Sequence, residues 1–440
     1  MENQDKGFPG HPDTLAPPAE RGRQHPQWWL AVQSALYAYG LTLGAALVTM
    51  ALLVLGFFLG GTGALNGMND SAGNMGARLD GPSALLIYPF FLAAMALGGT
   101  PVLTVSAAGY ADLPAPLVSL WAGALPLLLT AVAAASLWQL GRRAERRQPL
   151  GSEWHRWLYS ALTGLSLAAV SVLLSLLVSL REDTEAGAMF LTAASPSLVA
   201  GAVLLGTFAG WAGRKHGTGT VPRWITRTER SLPGVRPALR VAAGHYLVYT
   251  AVTGTALVVT ALVKGGTAVA FASPLWLPTA AAWSYGLGHL STVTEQGLPA
   301  AANLPGSIGD LPVWASAAVG VLTLLLAAAA SVAWFLARDR DRDRDRLPDP
   351  AGRRTSWLTL PLVFGLAGAA VSVLGVVLAG QTSAGGGGGT GFGTVGPAPW
   401  TFLVMAAWGL LIEAGSRTMA GHVEHLVPAR IAAFLRPAGN

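Results

Sequence analysis

Long apolar runs separated by short polar stretches dominate the chain from residue 28 to residue 416. A helix of about 20 apolar residues spans the roughly 30 Å hydrocarbon layer. Lipid-exposed backbone must pair its own polar groups, which selects helix for every such run. The pattern predicts full spans over 28–60, 115–140, 157–180, 188–211, 241–263, 312–337, 357–379 and 400–416. Two further segments are interrupted. Residues 83–110 contain Pro89 and break at Gly98-Gly99-Thr100-Pro101, and residues 265–290 contain Pro274 and Pro278 before Gly288 and His289. The apolar part ahead of Gly98 is short for a crossing. The expected fold class is an all-α polytopic membrane protein of about eight transmembrane helices plus two re-entrant or broken segments, ten hydrophobic segments in total.

The same pattern recurs along the chain. GLSLAAVSVLL at 164–174 and GLAGAAVSVLG at 365–375 agree at eight of eleven positions. Upstream, Asp112-Leu113-Pro114 returns as Asp310-Leu311-Pro312, each ahead of an apolar run that ends at Trp138 or Trp334. Further upstream, Tyr39, Gly44, Ala46 and Leu47 match Tyr249, Gly254, Ala256 and Leu257. Three collinear matches indicate an internal duplication. The chain divides into a disordered cytoplasmic tail (1–27), a first membrane repeat (28–211) and a basic cytoplasmic linker (212–240). A second membrane repeat (241–416) contains an Arg/Asp cytoplasmic loop (338–356), and a cytoplasmic tail (417–440) follows.

Charge selects among topologies, because cytoplasmic flanks are rich in Lys and Arg. If all ten segments crossed, loops 141–156 and 212–240, with 12 Lys and Arg between them, would face outward. If 83–110 and 265–290 dip in and return, 25 of the 28 Lys and Arg lie inside, and Arg78, Arg181 and Lys264 remain outside. The second arrangement is preferred, with both termini cytoplasmic. Four crossings per half keep the repeats parallel, about a pseudo-twofold axis along the membrane normal.

Composition narrows the chemistry. With Cys 0, there is no disulfide, thiol catalyst or Cys-ligated metal. Three of the 28 basic residues are lysines, which with Ala and Gly richness suggests a GC-rich bacterial genome and a bacterial plasma membrane. The polar tail ahead of residue 28 suits an uncleaved first span rather than a signal peptide. The +6 charge sits in cytoplasmic loops, suited to anionic lipid headgroups rather than nucleic acid.

Interrupted hydrophobic segments at matching places in two halves point to a membrane binding site. Pro89, Gly98, Gly99 and Thr100 in one half, with Pro274, Gly288 and His289 in the other, are candidates to line an inter-repeat site. Half-inserted helices that merely plug the bundle are the competing reading. Asp112 and Asp310 could attract a cation, but Asp before Leu-Pro suits a helix cap better. Glu413 is an acid inside an apolar run, hence a functional candidate. Arg417, four residues on, makes an ion pair the preferred reading. His245 is expected to be a packed or snorkelling side chain.

Other motif matches fail on context. Gly391-Phe392-Gly393-Thr394-Val395-Gly396 spells G-x-G-x-x-G without a preceding strand, and with the Gly385–Gly389 run it reads as a flexible loop. No P-loop is present, and His422-Val423-Glu424-His425 lacks the metalloprotease spacing. The alternating Arg/Asp tract from residue 338 to 346 reads as a solvated linker. No nucleophile–base pair or metal set is visible, so no enzyme activity, cofactor or metal is expected.

Ala96-Leu97-Gly98-Gly99-Thr100-Pro101 after an apolar run, and a glycine-rich loop ahead of a small-residue last helix, resemble the "streptophobe" proteins, hydrophobic multi-pass proteins of Streptomyces and relatives. More distantly the plan is similar to an actinobacterial cell-division-associated membrane family. The resemblance brings no reaction and no catalytic residues with it. The paired broken segments favour a transporter- or channel-like carrier. The resemblance favours the alternative, a non-catalytic scaffold for cell-envelope or cell-division machinery.

Overall fold

The computed structural model describes residues 27–60, 82–107, 118–123, 125–184, 187–219, 227–229, 231–232, 234–297, 306–344, 350–383, 390–418 and 422. The chain is predominantly helical. Its helices are α1 (Gln27–Gly60), α2 (Pro82–Ala96), α3 (Leu127–Arg147), α4 (Glu153–Leu177), α5 (Pro196–Gly217) and α6 (Val235–Thr260). A π-helical turn (Ala261–Gly265) then leads to α7 (Gly266–Phe271), α8 (Ser273–Gly288), α9 (Val313–Arg344), α10 (Pro350–Leu374) and α11 (Thr401–Thr418). Among the described residues six helical stretches are long and apolar enough to cross a membrane: Trp28–Gly60, Glu153–Leu177, Pro196–Gly217, Val235–Phe271, Val313–Ala337 and Trp357–Leu374. The protein is an integral membrane protein.

The connections at one end of the bundle pair into a sheet that hydrophobic periodicity did not reveal. Strands β1 (Val102–Ala107), β2 (Val118–Gly123), β3 (Leu180–Thr184), β4 (Gly187–Thr192), β5 (Val293–Gln296), β6 (Val377–Ser383) and β7 (Thr390–Pro397) lie in the order β3-β4-β1-β2-β6-β7-β5. Every pairing is antiparallel. The β2·β6 pair, with Leu120 opposite Gln381, joins the two halves into one sheet. Several expected boundaries shift accordingly. The apolar runs 115–140 and 188–211 open with β2 and β4, and their helices begin only at Leu127 and Pro196. The run 357–379 ends its helix at Leu374 and continues as β6. The glycine-rich stretch read as a flexible loop holds β7, paired with β6 from Thr390 and with β5 from Thr394. The Arg/Asp tract continues α9 as helix to Arg344.

Glycine seams let the helices approach closely, as in membrane bundles generally. A Cβ at Gly213 would lie 2.0 Å from the Trp138 carbonyl oxygen, and one at Gly164 2.5 Å from that of Val203, so α5 packs tightly on α3 and α4. In the second half a Cβ at Gly409 would lie 2.8 Å from the Pro361 Cα, along the α10–α11 contact. Buried hydroxyls bond back to the preceding helical turn, as Thr42 does to Ala38 and Ser171 to Leu167. That leaves little polar surface facing lipid.

Helix direction follows from these contacts. Gly234, before α6, lies against Trp334 near the far end of α9, while Tyr249 and Val319 meet at Gly288. Helix α6 therefore climbs toward the sheet as α9 descends from it. Helix α8 descends beside α6: Leu277 lies against Gly254, the Tyr249 hydroxyl donates to the Ser284 carbonyl (2.8 Å), and His245 meets Tyr285 (3.0 Å). It stops at Gly288, and the chain turns back into β5. Segment 265–290 thus enters from the sheet end and stops within the bundle, and the chain returns to the sheet through β5.

Candidate functional site

The two broken segments end in the same hydrogen-bonded turn. In the first half the Gly99 amide donates to the Ala94 carbonyl (2.8 Å) and Leu97 to the same oxygen, with Gly98 left-handed at φ 93°. In the second, Ser291 donates to Gly286 (2.9 Å), His289 to Gly286, and Leu290 is left-handed at φ 67°. This is a helix C-cap closed by a left-handed residue. Each turn is also held from the side: Thr130 of α3 donates to the Ala96 carbonyl (2.8 Å), and Thr323 of α9 to that of Gly288 (3.0 Å). The chain after each turn is tied to the following strand–helix junction, through the Thr100 amide to Ser195 Oγ (3.1 Å) and the Ala398 amide to the Thr292 carbonyl (2.8 Å).

The sequence candidates fall into two sets, each packed within its own half. Pro89 is buried inside α2. Gly98 lies against Gly201 of α5, where a Cβ would come within 3.1 Å of backbone, and the Thr100 hydroxyl bonds Ser197 (2.6 Å). Pro274 occupies the first turn of α8, where its missing N–H costs nothing. Gly288 touches Tyr249, and His289 is fully buried. Asp112 lies outside the described residues. Asp310 is exposed, and its carboxylate accepts from the Ser307 amide (2.7 Å) and hydroxyl, capping the short 3₁₀ turn Ile308–Asp310 rather than α9 itself.

Turn residues match, but the side chains beside them do not. At the foot of α8, His245, Tyr249, Tyr285 and His289 come together. The His289 ring centroid lies 4.3 Å from Tyr285, 5.1 Å from His245, 5.4 Å from Tyr249 and 5.4 Å from Trp408 of α11. Trp408 Nε1 donates to the His289 carbonyl (2.8 Å), and Ser291 bonds Thr401 (2.6 Å). Aligning the halves by their turn hydrogen bonds and by Tyr39 with Tyr249 places Ala35, Ala93 and Leu97 where His245, Tyr285 and His289 stand. All three are buried apolar residues. The fold closes the same turn without a polar side chain at these three positions, so these three groups are not required to build it.

The centre sits deep. Thr323, which holds its turn, lies near the middle of the apolar stretch Val313–Ala337. His245 was expected to be packed or to snorkel; it is packed, 5% exposed, with Phe364 and Tyr285 against it. Its partnership with His289 was not legible, because the contact joins two helices through a turn whose depth periodicity does not fix. The signal that could have found it is the Ala35/His245 mismatch four residues before the matched tyrosines.

Charged groups cluster at the opposite end. Glu413 is fully buried, accepts from Arg417 Nε (2.5 Å) and from Trp334 Nε1, and so forms the expected ion pair. The Arg417 guanidinium stacks 4.0 Å over Trp357. In the first half Glu145 pairs with Arg156 (2.9 Å) and Arg214 (3.8 Å), while Glu153 binds Lys215 (2.7 Å) and Trp211 (3.0 Å). Among the described residues no group of three or more His, Cys, Asp or Glu is placed to hold a metal ion. No family model matches the chain, and neither a curated protein nor a solved structure is similar to it.

Proposed function

We propose that this chain is a non-enzymatic transporter- or channel-like carrier built from two duplicated halves. Its site lies at the foot of α8, the helix that packs on α6 of its own half and on α3 of the other. The observation that carries the reading is the pair of matched turns, one of which sets a polar centre level with the middle of an apolar span. Broken helices at corresponding positions of two halves are where membrane carriers bind, and ionisable groups at that depth are retained for function.

Eight helices cross in this reading (α1, α3, α4, α5, α6, α9, α10 and α11), and α2 and α8 dip in from the sheet side. Arg142, Arg143, Arg146, Arg147, Arg156, Arg214, Lys215 and Arg417 lie at the end opposite the sheet, whereas Arg181 and Lys264 lie near it. That bias supports a sheet outside and both termini in the cytoplasm of a bacterial plasma membrane, with anionic headgroups against the arginines.

Reconstituted in liposomes, the protein should raise permeability to ions or small solutes above protein-free vesicles. Converting His245, Tyr285 and His289 to the first half's Ala, Ala and Leu should remove the increase. Vesicles that stay tight under both conditions would replace the carrier with the scaffold reading. One observation favours that second reading: among the described residues β3 and β5 are the end strands of the sheet, β5 with its Val293 amide bonded to Gly306, and an end strand is where a sheet can pair with another chain. The streptophobe resemblance points the same way.

A further inference from the structure

His289 Nδ1 lies 2.7 Å from the Tyr285 carbonyl oxygen, which only accepts. Nδ1 therefore carries the hydrogen, and Nε2 of the neutral ring is a bare lone pair. The Tyr285 hydroxyl lies 3.0 Å from His245 Nδ1, its recorded partner. A buried phenol left with an unpaired hydrogen is costly. Tyr285 accordingly donates, and the hydrogen of His245 sits on Nε2. Both Nε2 atoms are buried without a hydrogen-bond partner among the described residues, in rings 95% and 100% buried, with centroids 5.1 Å apart. One orphan donor and one orphan acceptor thus stand side by side.

A single water accepting from His245 Nε2–H and donating to His289 Nε2 would satisfy both. A metal ion would need both nitrogens bare, which would strand the Tyr285 hydrogen. A proton needs only the His289 lone pair. The rings of Tyr249, Tyr285 and Trp408 lie 5.4, 4.3 and 5.4 Å from the His289 ring, and the Tyr285 carbonyl keeps its bond to Nδ1–H in either state. The titratable groups on the elements packed around it are His245, Tyr246 and Tyr249 of α6 and Tyr285 of α8. On α11 Glu413 lies beyond Trp408 and is paired with Arg417, while α9 and α10 present Thr323 and Phe364.

Deepening the carrier reading, we propose that His245, Tyr285 and His289 form a proton-binding site that takes one water and one proton, making the proton the coupling or transported ion. The proton passes from a hydronium ion to the His289 Nε2 lone pair. A water leaves, and an imidazolium with two N–H bonds remains.

The test is ¹⁵N-histidine NMR of the full chain in lipid nanodiscs, with His245→Ala and His289→Leu for assignment. Near neutral pH His289 should be the Nδ1–H tautomer and His245 the Nε2–H tautomer. On acidification His289 should become imidazolium while the helical circular dichroism is retained. Tyr285→Phe should perturb His245 and leave the His289 tautomer unchanged, because the carbonyl persists. The same tautomer at both rings, or a His289 that stays neutral until the helices unfold, overturns the proposal. Because the readout is protonation and not flux, a titrating His289 in a tight vesicle would sink the carrier and spare the site. Flux with a silent His289 would do the reverse.

Discussion

Leu290 holds a left-handed backbone at φ 67°, a conformation that costs an L side chain roughly 1–2 kcal/mol. The matched residue in the other half is Gly98, for which that conformation is free. Since the Leu290 side chain is 65% exposed, little packing is lost with it. Leu290→Gly should therefore stabilise the protein by about 1 kcal/mol, read as a higher unfolding temperature in detergent; a lower one would mean that the side chain is held by contacts absent from the bare chain. At this scale the sequence was partly legible. His289 stood out because it follows a broken apolar run. His245 did not, since one polar residue in a long helix looks alike whether it faces lipid, water or another ring. Glu413 was legible together with its partner, because an i, i+4 pair is fixed by helical geometry alone.

Among the elements, the predominance of apolar helices was read correctly, several helix boundaries were not, and the strands were missed. β2, β4 and β6 are short apolar runs contiguous with helices, and periodicity cannot separate a buried strand from the end of a buried helix. What makes them strands is a partner: β2 pairs with β6 from the other half of the chain. Since β2 precedes α3 and β3 follows α4, the 148–152 connection lies at the opposite end of the bundle from the sheet. A single cysteine at Thr294 in β5 should react with an impermeant maleimide on intact cells, while one at Ser152 should react only after permeabilisation. The native chain, with Cys 0, gives no background. The reverse pattern would invert the topology and put the sheet in the cytoplasm.

Across the whole molecule, the halves meet at the β2·β6 pair, at α8 against α3, and where Thr267 of α7 donates to the Gly56 carbonyl of α1 (2.8 Å). A Cβ at Gly56 would come within 2.8 Å of Phe271, so α1 and α7 are already in close contact. Fragments 1–219 and 220–440 expressed together should co-purify. Leu120→Pro, which removes a central-strand N–H opposite Gln381, should weaken that association by about 1 kcal/mol, roughly fivefold. Unchanged co-purification would assign the join to the helices instead of the sheet.

The amino-acid sequence by itself determined that the chain lives in a membrane, roughly where its apolar helices run, and that two segments are interrupted by proline and glycine. Each of these is set by local hydropathy and by residues that interrupt a helix, so a single strand of text carries it. Only the tertiary structure decided that the connections at one end of the bundle pair into one sheet, that α8 stops near the middle of the apolar part of α9, and that His245 reaches His289. Each depends on contacts between residues far apart in the chain, and hydropathy reports how apolar a segment is, not which neighbour it meets.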